Sequence, residues 1–156
     1  MTKNNVKSVY NTDIEERVQQ GESVKVQIVG RDMLPMFKEE DYVVVSPIKE
    51  KTKGHTSLKS GDVVLFHHKK EIKLHRVIHL NGTLLRIKGD HCYDRYEKVT
   101  CSDVIGIVTE GTYFGGIKFT ANSFFYRLLA QFWVRSHFIR LHTVYFFRLI
   151  ARKCKK

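Results

Sequence analysis

Three short groups of residues carry the side chains best suited to chemistry. The first is Gly30-Arg31-Asp32-Met33-Leu34-Pro35, a bend holding one of the chain's two prolines. The second is Leu74-His75-Arg76-Val77-Ile78. The third is Lys88-Gly89-Asp90, with Asp94 close behind. An imidazole at its ordinary pKa of ~6.5 accepts a proton at neutral pH without deep burial. A carboxylate such as Asp90 can orient that imidazole or pair with Arg76. Asp32 beside His75 would make a charge-assisted hydrogen bond, which favours the protonated ring and removes the free base. Asp32 is also a poor attacking group toward an amide. It has no proton for a base to take, and the anhydride it would form expels the amine badly.

In their order along the chain, the three blocks resemble the core of the signal peptidase I and LexA-repressor superfamily of serine peptidases. The resemblance spans residues 22–110. The family's first block reads Gly-x-Ser-Met-x-Pro, and its serine attacks a peptide carbonyl. Asp32 stands at that position here. In the family, a Lys or His on a later strand takes the serine proton. His75-Arg76 is similar to the His-type members of the endoplasmic reticulum and archaea. Gly89-Asp90 matches the family's acidic block, and Asp94 matches it loosely.

That resemblance implies a mainly β fold, a coiled antiparallel sheet or partly open barrel. It implies serine endopeptidase chemistry on a signal or leader peptide, with no cofactor. Asp32 would hold the nucleophile position, His75 the general-base position and Asp90 the orienting position, with Asp94 a possible second acid. Met33, Pro35 and Arg76 would face the substrate, and Met33 with the backbone near Asp32 would line the oxyanion region. The substrate would bind as an added strand. With Asp32 in place of serine, the expectation is little or no peptidase activity. The alternative is a non-catalytic peptide-binding or scaffold module at a membrane surface. Ser23 and Ser46, the nearest other hydroxyls, do not occupy the family's position.

His67, His68, His75, His79, His91 and Cys92 make the middle of the chain rich in histidine. Their spacing matches no paired zinc pattern, and adjacent His91 and Cys92 are awkward joint ligands, so no metal is predicted. No motif supports Cys92 as a thiol nucleophile. The three cysteines, Cys92, Cys101 and Cys154, are odd in number and do not suggest a disulfide framework, which points to a reducing compartment.

These residues need elements to position them. Thr12-Asp13-Ile14-Glu15 fits a capping box, and Gly21 is a plausible stop, so a short helix is predicted over 12–20. Val24, Val26 and Ile28 alternate with polar residues, the signature of a half-buried strand. Further strands are predicted at 42–45, 63–66, 72–80, 84–87, 104–108 and 113–119, with a polar loop over 49–60. Asn81-Gly82 is a strong hairpin signal. Short strands separated by turns imply a coiled sheet or partly open barrel. The chain divides into an N-terminal segment (1–21), a β domain (22–120) and a tail (121–156).

The formal net charge of +11 is unevenly placed. The first 110 residues hold 18 Lys and Arg against 16 Asp and Glu, and all nine remaining cations follow Glu110 with no acid among them. Asn122 or Ser123 can cap a helix in which Phe124, Phe125, Leu128, Leu129 and Phe132 keep helical spacing. Phe138, Leu141, Tyr145 and Leu149 repeat the pattern. The tail can pack on the body or lie in an anionic membrane interface through Arg127, Arg135, Arg140, Arg148 and Arg152. Specific nucleic-acid binding is not expected, because too little chain precedes the β domain for a helix-turn-helix. No cleavable signal and no apolar run of about 18 residues is visible. The location expected is cytoplasmic, or peripheral at the inner face of the membrane.

Overall fold

Alternation of apolar and polar residues drives most of the chain into one antiparallel sheet. The computed structural model describes residues 11–48, 51–52, 55–69, 71–92 and 95–136. Helix α1 (Asn11–Gln19) is followed by β1 (Val24–Gln27), β2 (Tyr42–Ser46), β3 (Lys51–Thr52), β4 (His55–Thr56), β5 (Val63–His68), β6 (Glu71–Asn81), β7 (Leu84–Lys88), β8 (Glu97–Thr100), β9 (Val104–Tyr113), β10 (Ile117–Thr120) and α2 (Phe124–Arg135). The eight-stranded sheet runs β1-β2-β9-β5-β6-β7-β8, with β10 added to β9. It is not closed, so β1 and β8 remain as its two edges.

Both faces of the sheet are buried. On one face Ile14 and Val18 of α1 pack with Met33, Met36, Phe37, Val43, Leu65, Ile72 and Phe119. On the other, Phe66, Val77, Leu85, Ile87 and Val99 form a second cluster. Strand β6 is the wall between them, because Ile72 enters the first cluster and Val77 the second. Gly106 lets α1 approach β9: a Cβ there would lie 2.6 Å from Val45 Cγ1 and 3.1 Å from Val18 Cγ1.

Three differences from the sequence reading have simple causes. The 49–60 stretch, expected as loop, contains the small β3–β4 hairpin, whose polar composition hides it. Strand β8 was not anticipated. Only Val99 of its four residues is apolar and buried, which is too short a run for alternation to show. The expected final strand is shorter than 113–119, since a turn at Phe114, Gly115 and Gly116 separates β9 from β10.

The capping expectation at α2 holds: the Ser123 side chain accepts from the Tyr126 amide. Tyr126 and Ala130 bury one face of α2, and Tyr126 stacks on Phe119 with ring centroids 4.3 Å apart. No helix among the described residues is long and apolar enough to cross a membrane. Asp94, Cys154 and the tail cations Arg140, Arg148 and Arg152 lie outside the described residues, as does the second helical stretch expected after Phe138.

Candidate functional site

The Gly30–Phe37 turn is tied down by its own backbone. Leu34 donates to the Arg31 carbonyl at 3.2 Å and Phe37 to the Met33 carbonyl at 3.0 Å. The Leu34–Pro35 bond is cis. The Asp41 carboxylate accepts from the Lys38 and Gly115 amides and closes the loop behind it. Met33, Met36 and Phe37 point inward and are nearly or fully buried, which leaves Asp32 half-exposed above them.

A second turn meets the first. Cys92 donates its amide to the Gly89 carbonyl, and His91 donates to the Asp32 carbonyl at 2.8 Å. The approach requires glycine. A Cβ at Gly89 would lie 2.6 Å from the Asp32 carbonyl oxygen, 3.2 Å from His75 Nε2 and 3.2 Å from Cys92 Sγ. Asp32, His75 and Cys92, from three separate segments, thus surround one α-carbon. The imidazole nitrogen and the thiol sulfur are no further apart than twice 3.2 Å.

His75 is held on its other side. Its Nδ1 lies 3.1 Å from Glu97 Oε2, and Lys73 Nζ donates to Glu97 Oε1 at 2.7 Å. His68 Nε2 stands 3.7 Å from the same oxygen. Burial pushes the Glu97 carboxyl up, but the hydrogen bonds from His75 and Lys73 outweigh it and hold the group at about 2. Glu97 is therefore ionised at neutral pH and can only accept, which makes His75 Nδ1 the donor. In the neutral ring Nε2 is then left as the acceptor, on the side of Asp32 and Cys92. Phe66 supports the ring, with centroids 5.6 Å apart.

The carboxylate on the imidazole is thus Glu97. The expectation that Asp90 orients the imidazole is corrected: its Oδ1 and Oδ2 accept from Arg76 Nε at 2.8 Å and Nη2 at 2.7 Å. Arg76 Nη1 donates to the Gly61 carbonyl and Nη2 also reaches Met36 Sδ. Burial lowers the Arg76 pKa, but the Asp90 and Tyr126 interactions together outweigh it and the net direction is up. Burial raises the Tyr126 hydroxyl pKa, and the nearby Arg76 charge opposes that shift.

The expectation that Arg76 faces substrate is corrected. Its side chain is fully buried and its guanidinium is occupied within the fold, so it braces the site from behind. Pro35 is exposed and does not line the cleft described below. Met33 does line it. Among the described residues, no group of three or more His, Cys, Asp or Glu is placed to hold an ion. His67 instead pairs with Glu15 of α1 at 3.0 Å.

In front of His75 is a cleft that opens to solvent. It is lined by Val26–Gly30, Asp32, Met33 and Ile72–His75, with Ile14 and Leu65 at its base. The two strand segments along it have unused backbone. Among the described residues, strand β1 pairs only with β2. Residues 72–75 of β6 pair only with β5, because β7 joins β6 from Arg76 onward. Buried or half-buried Ile72 and Leu74 make the cleft apolar, and Asp32 and Lys73 give it charge.

Comparison of the chain with family models, curated proteins and solved structures finds no match. Its chemistry is therefore read from its own geometry. Two participants escaped the sequence reading. Glu97 had no motif around it, and its partners His75, Lys73 and His68 come from other strands. Cys92 carries no motif, since nothing linear connects it to His75.

Proposed function

We propose that the chain is a peptide-binding protein of the signal peptidase and LexA type, with Asp32 where that family has its attacking serine. One observation carries the reading. The Asp32 turn, His75 and two strand segments with unpaired backbone line the same cleft. An extended peptide laid there would gain main-chain hydrogen bonds from β1 and from the start of β6, and alternate side chains would enter the pocket over Ile72 and Leu74. His75, with Nδ1 held by Glu97, is arranged as a general base would be. A carboxyl in place of an alcohol is a poor attacking group toward an amide, so the protein binds peptide and turns it over little or not at all.

The test restores the missing alcohol. Asp32→Ser should react with a serine-directed acylating probe and cleave a mixed peptide library. Adding His75→Ala should abolish both. An Asp32→Ser protein that is folded, binds peptide and never acylates would remove the peptidase ancestry and leave a binding module alone.

A second reading rests on Cys92. A thiol close to an imidazole whose far nitrogen is held by a carboxylate is the arrangement used by cysteine hydrolases. It predicts slow cleavage by the unaltered protein, lost in Cys92→Ala and unaffected by Asp32→Asn. No cleavage by the unaltered protein would exclude it.

A further inference from the structure

Helix α2 is apolar on two opposite faces. One face is docked. Tyr126 stacks on Phe119, Ala130 is buried, and Leu129 and Trp133 pack partly against the same cluster. Polar clamps hold that orientation: Arg127 Nη1 bonds Asp62 Oδ1 at 2.6 Å, and Gln131 Nε2 bonds the Ser60 carbonyl at 2.6 Å. The other face carries Phe124, Phe125, Leu128 and Phe132, exposed to 74%, 81%, 58% and 64%. At 100° per residue these four fall within about a quarter-turn of one another, opposite Tyr126 and Ala130. The helix cannot roll to bury them without breaking both clamps.

Exposed large apolar residues are ordinary when scattered, but a contiguous row on one face marks something that covers it. Charge selects among the candidates. In the sequence nine cations and no acid follow Glu110, and of these Arg127 is neutralised by Asp62. The like net charge of this C-terminal part of the sequence disfavours pairing two copies through it. An anionic surface reverses that sign. Aromatic side chains on one face of a helix flanked by basic residues suit the boundary between lipid headgroups and acyl chains.

We propose that the outward face of α2 seats this protein on an anionic membrane surface, with Phe124, Phe125, Leu128 and Phe132 entering the interface and the basic residues meeting the headgroups. The helix lies along the surface and does not cross it. The site is independent of the peptide cleft, so either proposal can fail without the other.

The experiment is co-sedimentation of the full chain with vesicles of phosphatidylcholine alone or of phosphatidylcholine with a third phosphatidylglycerol. The full chain should pellet with the anionic vesicles and remain in solution with the neutral ones. The double variant Phe125→Gln/Phe132→Gln alters only exposed side chains. It should keep the unfolding midpoint of the parent and lose at least tenfold in vesicle affinity. Equal pelleting of parent and variant would show that charge alone binds, and would overturn the assignment. A variant that unfolds more readily would mean that another part of the chain covers this face, which also overturns it. So would a parent that is dimeric, becomes monomeric in the variant and ignores both kinds of vesicle.

Discussion

Glu97 Oε2 lies 3.1 Å from His75 Nδ1, while Asp90 grips Arg76 one residue further along β6. Neighbouring residues on a strand point to opposite faces, so the two carboxylates serve the two sides of the sheet. Glu97 fixes the tautomer of a ring that reaches the cleft. Asp90 neutralises a guanidinium that never sees solvent. The division of labour gives each carboxylate a different experimental signature.

Acid should weaken the Glu97 network. The carboxyl drops from an ordinary 4.5 in the unfolded chain to about 2 in the fold. A depressed folded-state pKa contributes stability that is complete above the unfolded value and is lost as pH falls toward the folded one. The window is therefore pH 4.5 down to 2. Because the group is partly screened by solvent, the loss should be about 1–2 kcal/mol. Glu97→Gln should flatten the stability profile across that window in urea titrations, and an unchanged profile would refute the assignment.

Asp90→Asn should be the more damaging change at neutral pH. It leaves the Arg76 charge buried without its counter-charge, at a cost of about 3–5 kcal/mol. Arg76→Lys should also destabilise, since an ammonium cannot reproduce the paired bonds to Asp90 together with the bond to Gly61. Denaturant midpoints measure both. An Asp90→Asn protein as stable as the parent would contradict the burial of this pair.

Gly89→Ala should push the two turns apart. The new methyl would sit 2.6 Å from the Asp32 backbone oxygen, which cannot rotate away as a side chain could. The expected cost is about 1–3 kcal/mol. Because His91 donates to that same oxygen, its amide should lose protection from hydrogen exchange more than amides elsewhere. Unchanged protection at His91 would show that the contact is not made.

Most of the sheet was legible because its strands alternate. Val24–Gln27 alternates residue by residue, and Tyr42–Ser46 shows instead as a β-branched run between Asp41 and Pro47. The Asn81-Gly82 turn and the Ser123 cap were equally plain, since each needs a particular residue type at one place. The site was legible only in part. His75 and Asp32 stand out in sequence through local motifs, and the cleft contains both. Glu97 and Cys92 reach His75 only through the register of β7 with β8 and the Gly89 turn, which no linear pattern encodes. Arg76 looked like a ligand-facing residue because charge suggests solvent. The structure places it at the centre because Asp90, Gly61 and Met36 together satisfy it.

The free border of β1 has a further consequence, for behaviour in concentrated solution. Among the described residues β1 ends the strand order, and an edge that can welcome a visiting strand can also welcome β1 of another molecule, a pairing that seeds precipitation. The chain resists this with brevity and with charge. The strand is only four residues long. Lys25, whose ammonium rests 3.8 Å from the Tyr42 ring centroid, stands on it as a cationic sentry. Replacing that lysine with an uncharged residue would strip the border of its one charged guard.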